Sequence, residues 1–296
     1  MRILLLGKSG LIGHAIADAA SSGGFEILCP GRTTAPALDL ENLDHIEALP
    51  LDGIDTVVHA AGVTDEEVKA SPSRAIIRAT VTTARLLERC SQAGIKRFAY
   101  VSSSHVYGPF EGTKTERSSA DPLSDYAMCH YGVEQSIRRA LKKFGGSALF
   151  IRPNAVFGMP PEPSLFTRWS LIPYEFPRDL IEKGVIGIRS SGEQARNFIS
   201  VEDIADGTVA WLRERAKEGV TIWNPVGPLT CSVYEFGLIC KEVLQQTTNK
   251  PGRVERGTEA APGADFRLES EWRLTKPDRR PEPFLSEIYS WLLSRA

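Results

Sequence analysis

Leu4-Leu5-Leu6-Gly7-Lys8-Ser9-Gly10-Leu11-Ile12-Gly13 decides how this chain folds. An apolar run from Ile3 ends on a glycine, and two more glycines follow at three-residue spacing before an amphipathic stretch at about 11–21. Gly7 permits a tight turn out of a strand, Gly10 lets the backbone approach a pyrophosphate, and Gly13 lets helix and strand pack closely. Ser9, Leu11 and Ile12 then set backbone N–H groups against the phosphates at the positive end of the helix dipole. A glycine triplet alone is a weak signal, but its place straight after the first strand makes it a dinucleotide site.

Further apolar runs of strand length lie at Glu26–Cys29, Thr56–Ala61, Arg97–Ser102 and Ala148–Ile151, with helical patterns at about 74–93 and 124–143 between them. Continuous apolar strands are buried on both faces, as in a parallel sheet covered by helices. Strand–helix–strand order then predicts a right-handed, doubly wound α/β sheet of the Rossmann type. After Gly158 the texture changes. The stretch 159–177 is dense in proline and aromatics (Phe166, Trp169, Tyr174 and Phe176 among them) and reads as a packed lid or cleft wall. A helix at about 202–217, a strand at Thr221–Asn224, a helix around Val233–Gln246 and a final helix at Phe284–Ser294 follow. Residues 1–157 are read as the cofactor domain, with 196–222 returning to it. Residues 158–195 and 223–296 are read as a smaller C-terminal substrate-binding lobe.

The composition narrows the partners. With 296 residues, 42% of them hydrophobic, the chain can bury a large core, which excludes a disordered or disulfide-stapled architecture. Lys and Arg number 35 against 37 Asp and Glu, so no strong positive field attracts nucleic acid or an anionic membrane. No apolar run reaches the ~20 residues of a membrane span, and the opening run lacks the basic region of a signal peptide. Five scattered cysteines without a CxxC pair argue against a zinc site and fit a cytoplasmic location, so no metal is expected.

The second strand ends near Pro30 without the acidic residue that accepts from an adenosine ribose; Gly31-Arg32 stands there instead. Arg32 is read as a partner for a 2′-phosphate, so NADP(H) is favoured over NAD(H); a solvated loop arginine is the other reading. Asp39-Leu40 is placed to meet the adenine, and Ala60-Ala61-Gly62 ends the third strand with small residues past which the nucleotide fits.

Tyr100-Val101-Ser102-Ser103-Ser104-His105-Val106-Tyr107-Gly108 closes a buried strand with hydroxyls at its carboxyl edge, where such sheets bind ligands. Downstream, Ser124-Asp125-Tyr126 opens a helix that carries His130 four residues after the tyrosine, on the same face. A phenol can pass a proton to or from a carbonyl oxygen while hydride moves at the adjacent carbon. To do so near neutral pH its ordinary pKa of ~10 must be lowered by a neighbouring positive charge.

These motifs, with Arg152-Pro153-Asn154-Ala155-Val156-Phe157-Gly158, Arg196 to Ile204 and Trp223-Asn224-Pro225 in order, resemble the extended short-chain dehydrogenase/reductases of the nucleotide-sugar epimerase/dehydratase group. The resemblance implies that Ser103 and Tyr126 are the catalytic hydroxyls and that His130 occupies the position of the family's lysine, which holds the nicotinamide ribose and charges the surroundings of the tyrosine. Tyr126 and His130 thereby also become cofactor contacts. With an unperturbed pKa of ~6.5 the histidine is expected to substitute for lysine and to charge in part. Ala79 stands where the family carries an asparagine. By the same resemblance Asn154 or its neighbour Ala155, and Arg196, meet the diphosphate and nucleoside of a sugar nucleotide. Ser104 and His105 replace the Asp-Glu pair of the dehydratases and face the substrate, which disfavours loss of water. The implied activity is hydride transfer at a sugar carbon, as 4-keto reduction or epimerisation, by a homodimer joined through the helices at about 74–93 and 124–143. The alternative is a nucleotide-binding regulatory or scaffold protein, motivated by the absent lysine.

Overall fold

The computed structural model describes residues 1–272 and 275–295. Strands and helices alternate through the first half: β1 (Arg2–Leu6), α1 (Leu11–Ser22), β2 (Glu26–Leu28), α2 (Leu43–Glu47), β3 (Thr56–His59), α3 (Asp65–Ala70), α4 (Pro72–Ile77), α5 (Thr83–Gln92) and β4 (Arg97–Val101). A two-residue β5 (Thr113–Lys114), the long α6 (Asp125–Phe144) and β6 (Ser147–Ile151) follow. Beyond them come β7 (Ala155–Phe157), α7 (Ile172–Lys183), β8 (Val185–Ile188), β9 (Ala195–Ser200), α8 (Val201–Arg213) and β10 (Gly219–Trp223). The chain closes with β11 (Leu229–Ser232), α9 (Val233–Thr248), β12 (Arg253–Arg256), β13 (Arg267–Leu268) and α10 (Pro281–Leu293).

Six strands form one parallel sheet in the order β2-β1-β3-β4-β6-β10. Its strands are apolar on both faces because helices cover both. Leu4, Leu6, Val57, Phe98, Tyr100 and Phe150 pack with Leu86, Leu87, Val133 and Ile137 of α5 and α6. Their strand neighbours Ile3, Leu5, Val58, Ala99, Val101 and Leu149 pack on the opposite face with Ile16, Ala20, Ile204 and Leu212 of α1 and α8. Each such side chain contributes about 1.5–3 kcal/mol on burial. The doubly wound Rossmann-type sheet expected from the sequence is therefore what the chain forms.

The strand order reverses at β1, with β2 on one side and β3 on the other, and ligands bind at such a switch point beyond the strand carboxyl ends. Gly7 and Ala60 meet there so closely that a Cβ on Gly7 would lie 2.7 Å from the Ala60 carbonyl carbon. Gly7 also has φ +89°, a conformation that disfavours other residues.

A second core joins Phe157, Tyr174, Leu180, Ile186, Phe198, Phe236, Leu285 and Ile288. It sits with the three-stranded sheet β11-β9-β7 and the two-stranded sheet β12-β8. Two sequence expectations change here. The segment read wholly as a bulky loop turns helical at Ile172, because Pro173 sits in the first turn, where its missing N–H is not needed. Pro177 then gives up one helical hydrogen bond inside α7, which the burial of Tyr174, Phe176 and Leu180 offsets. Residues 196–200 pair in the small sheet as part of β9, so the chain rejoins the large sheet's helical layer from Val201.

Candidate active site

α1 starts directly on the glycine turn. Its N-cap, Gly10, offers no side chain to the first N–H groups, so those of Leu11 and Ile12 have no partner within the helix. A Cβ on Gly13 would lie 2.0 Å from the Gly7 carbonyl oxygen, which explains the third glycine by helix–strand contact. Leu40, Ala61, Gly62 and Ala79 line one pocket beside this turn. Asp39 is half-buried, and its carboxylate accepts from Glu41 N at 3.0 Å. The residues present thus fit a dinucleotide: a bare helix N-terminus, a close glycine turn and small side chains on the third strand end.

β4 ends in three buried serines with three different tasks. Ser102 Oγ donates to Glu134 Oε1 at 2.6 Å, and Glu134 in turn accepts from Arg152 at 2.9 and 2.6 Å, all inside the fold. Ser103 caps the short turn that follows, accepting from His105 N at 3.2 Å, which fixes its hydroxyl at the sheet edge. Ser104 Oγ accepts from Asn154 Nδ2 at 2.9 Å, while Asn154 Oδ1 accepts from Asn197 N at 3.0 Å. Asn154, read from sequence as a ligand contact, is therefore also a brace between β4, β9 and the loop after β6.

α6 delivers the tyrosine. Ser124 caps it, accepting from Ala127 N at 3.2 Å, so its first turn forms at Asp125 and carries Tyr126 toward the turn after β4. The Tyr126 ring meets His105 edge-on at 5.5 Å between centroids and His130 at 4.6 Å. Burial pushes its phenol up; Arg168 is the largest opposing influence, Asp65 adds to the rise, and Ser103 helps to lower it.

His130 differs from its sequence reading. It is 3% exposed, and its Nδ1 stands 2.8 Å from the Tyr100 hydroxyl. Burial pushes the imidazole down to about 3, with Arg168, His105 and His59 acting in the same direction. Burial therefore works against the partial charge expected from the sequence. Its Nε2 is buried with no partner of normal hydrogen-bond geometry among the described residues, although the Val63 backbone acts on the ring.

Arg196 lies with its guanidinium carbon 4.8 Å from the Phe110 ring centroid and donates to the carbonyl of Ala195 at 2.7 Å. Among the described residues it has no ion pair with a carboxylate. The aromatics at 166–176 pack on one another: Phe166 on Tyr174 at 4.6 Å, Trp169 on Trp291 at 5.7 Å and Phe176 on Phe236 at 6.3 Å. Sequence reading missed three members of the site. Tyr100 stands only within the buried strand in that reading, and Glu134 has no role in it. Arg168 announced itself only as a lone cation between Phe166 and Trp169.

The comparisons with known proteins agree with this geometry. A dTDP-4-dehydro-6-deoxy-D-allose reductase of Streptomyces bikiniensis is 25% identical over 98% of this chain and 95% of its own length. A UDP-glucose epimerase of Bacillus subtilis, itself uncharacterized, is 27% identical over 47% of this chain and 42% of its own. The chain spans about half the length of the first curated relatives it matches. Among solved structures, the UDP-glucose 4-epimerase of Bifidobacterium longum, in complex with NAD+ and UDP, superposes with a TM-score of 0.81 over 99% of this chain and 98% of its own, at 18% identity. These relatives are named for enzymes, and nothing among them favours a regulatory or scaffold protein.

The expected preference for NADP(H) is overturned. Solved neighbours carry NAD, and the matching family is itself NAD-dependent. Arg32 is exposed on a loop closed locally by Gly31 N donating to Thr34 Oγ1 at 2.6 Å, and among the described residues no carboxylate pairs with its guanidinium. The family model for NAD dependent epimerase/dehydratases matches residues 3–224, well over half of the sequence, and the chain belongs to that family.

Proposed function

We propose that the chain carries out NAD-dependent hydride transfer at a carbon of a nucleotide-linked sugar, as an epimerase or a 4-keto reductase. The observation that carries this reading is the Tyr126 ring, in the first turn of α6, packed 5.5 Å from His105 in the turn that Ser103 caps at the carboxyl edge of the sheet. Bound NAD supplies the hydride acceptor and donor. Gly7, Ser9, Gly10, Leu11, Ile12 and Gly13 receive its pyrophosphate, Asp39 and Leu40 border the adenosine, and Ala60, Ala61 and Gly62 let the nucleotide pass. Tyr126 takes the proton from the sugar hydroxyl as the carbon is oxidised and returns it on reduction, while Ser103 holds the same oxygen. His130 offers Nε2 to the nicotinamide ribose. Ser104 and His105 border the sugar without a carboxylate, which leaves no acid–base pair for loss of water. Arg196, with no carboxylate partner, is shaped to receive the diphosphate.

Solved neighbours in complex with UDP-glucose or UDP-glucuronic acid support a sugar nucleotide as substrate. The reductase reading draws on the Streptomyces bikiniensis relative, which aligns over almost the whole chain. A cytoplasmic homodimer belongs to the same reading. Ile77 and Val81, one helical turn apart and 58% and 52% exposed, offer an apolar face to a second copy together with Met128 of α6. Among the described residues no helix is long and apolar enough to cross a membrane.

The test is incubation of the purified protein with NAD and UDP-glucose or UDP-glucuronic acid, and with NADH and 4-keto sugar nucleotides. Epimer formation is read by NMR and nicotinamide oxidation by absorbance. Turnover in either arm supports the proposal; tight NAD binding with no turnover in both arms overturns it.

A further inference from the structure

The loop that leaves the serine edge sets an aromatic ring between the two ends of the site. Phe110 follows the turn that Ser103 caps, and its ring lies 4.7 Å from that of His105, which meets Tyr126 edge-on at 5.5 Å. The guanidinium carbon of Arg196 lies over the same Phe110 ring, 4.8 Å from its centroid. Tyr126, His105, Phe110 and Arg196 thus form one row of contacts, from the proposed proton carrier to the proposed diphosphate contact.

The backbone of Arg196 is fixed by its neighbour. Asn197 is fully buried, its Nδ2 donates to the Gly227 carbonyl at 3.0 Å and to Thr230 Oγ1 at 2.9 Å, and its Oδ1 accepts from Gly227 N at 2.9 Å. Successive strand residues point to opposite faces, so Arg196 extends away from that anchor. Among the described residues its guanidinium makes one hydrogen bond, to the Ala195 carbonyl at 2.7 Å, and no ion pair. Burial draws its pKa below the ordinary arginine value. A half-buried cation without a carboxylate needs another source of attraction, and the face of an aromatic ring provides one. Unlike a carboxylate, a ring leaves the charge unneutralised and the N–H donors free for an anion.

The segment after β12 braces Phe110 in turn. Phe266, 0% exposed, lies 4.9 Å from its ring. Gly263 passes so close that a Cβ there would lie 2.3 Å from the Phe110 carbonyl oxygen. Arg267 N donates to the Gly112 carbonyl at 2.9 Å and Gly112 N to Asp265 Oδ2 at 3.1 Å, where β13 pairs with β5. We infer that Phe110 is a positioning residue for the substrate: its π-face holds the Arg196 guanidinium in place, unneutralised, for the diphosphate of a sugar nucleotide. Substrate recognition then depends on Gly263 and Phe266, far along the chain from the motif that carries Ser103. The inference rests on the proposed reading of Arg196 as the diphosphate contact.

Calorimetry on the full chain with saturating NAD measures the affinities of UDP, dTDP and GDP, and the tightest of them serves as the probe. Arg196→Gln tests the underlying reading, and probe affinity is expected to fall about tenfold or more. Phe110→Leu keeps apolar bulk against Phe266 but removes the π-face, and is expected to weaken the probe about fivefold. Phe110→Tyr keeps the ring and stays within about twofold of the parent. Added to Arg196→Gln, Phe110→Leu costs little more, because the guanidinium it holds is gone. Far-ultraviolet circular dichroism and an unchanged NAD affinity check that each variant is folded, and Phe110→Met takes the place of Phe110→Leu if that variant is not. With a sugar nucleotide that turns over, Phe110→Leu raises KM more than it lowers kcat. Unchanged probe affinity in Phe110→Leu, an equal loss in Phe110→Tyr, or a fall in kcat alone overturns the inference and leaves Arg196 as the diphosphate contact. Unchanged affinity in Arg196→Gln, or no binding of any of the three probes to the parent, overturns that reading and the inference with it.

Discussion

The Tyr100 hydroxyl and the Nδ1 of His130 stand 2.8 Å apart beneath Tyr126, sealed between the sheet and α6. The pair assigns one imidazole nitrogen to the fold and leaves Nε2 as the other. Tyr100→Phe removes the partner of Nδ1 without opening a cavity, and a lost buried hydrogen bond of this kind costs about 1–3 kcal/mol. Urea denaturation is expected to show that loss. His130→Lys exchanges the pair for a cation near Tyr126, and turnover should be kept or raised; a fall of tenfold or more would mean that the imidazole itself is required.

Tyr126→Phe keeps the ring against His105 and His130 and removes only the hydroxyl. If the phenol carries the proton, turnover falls by about 10²–10⁴-fold, while NAD affinity by calorimetry stays within about twofold. Ser103→Ala is expected to lower kcat less, since its hydroxyl orients oxygen rather than moving a proton. Full activity in Tyr126→Phe would remove the tyrosine from the mechanism.

Two buried histidines make stability depend on pH. Burial pushes His59 down to about 4 and His130 to about 3, from an ordinary 6.5. The unfolded chain therefore binds more protons than the folded one below about 6.5, so unfolding free energy falls as pH drops from there toward the folded values. Each histidine contributes a slope of up to about 1.4 kcal/mol per pH unit within that window. Urea midpoints at pH 7 and pH 5 should differ accordingly, and His59→Asn should flatten the dependence. Equal midpoints in the parent protein would show that these rings are not held neutral.

The glycine turn and Arg32 make opposite predictions for the cofactor. Gly13→Ala places a methyl group 2.0 Å from the Gly7 carbonyl oxygen and has no room without moving α1 off β1. NAD binding should weaken at least tenfold, with a lower melting temperature. Arg32→Ala touches an exposed side chain with no fixed partner, and NAD affinity should change less than about twofold. A large loss in Arg32→Ala would return that residue to the cofactor site.

The parts of the site legible in the sequence were those that local chemistry dictates. Three glycines after an apolar strand admit few structures, and the Ser124 cap starts α6 at Asp125 with Tyr126 in its first turn. What stayed hidden depends on partners far apart in the chain. Nothing near Tyr100 shows that it will meet His130. Nothing near Arg168 shows that its loop will reach Asp65 and Glu66 of α3. The NADP(H) expectation rested on Arg32 alone, an exposed loop arginine, and the NAD of the solved neighbours overturned it. α7 was missed because two prolines argued for a loop, whereas Pro173 falls in the first turn, where proline is tolerated.

Glu134 and Arg152 form an ion pair with 0% and 2% of their side chains exposed, tied to the serine edge through Ser102. Arg152 also lies over the Tyr107 ring at 4.7 Å, so the pair fixes both ends of the turn that carries Ser103, Ser104 and His105. Glu134→Gln leaves the guanidinium buried without a counter-charge, and breaking such a pair costs about 3–5 kcal/mol. Replacing both partners by apolar residues of similar size, Glu134→Leu with Arg152→Met, removes the desolvation of two charges together and should cost much less than the single change. Urea denaturation of the three variants separates these effects. The kinetic consequence follows from geometry: if the brace positions Ser103, the double variant recovers stability while kcat stays below that of the parent. Recovery of both stability and kcat would show that the ion pair serves the fold alone.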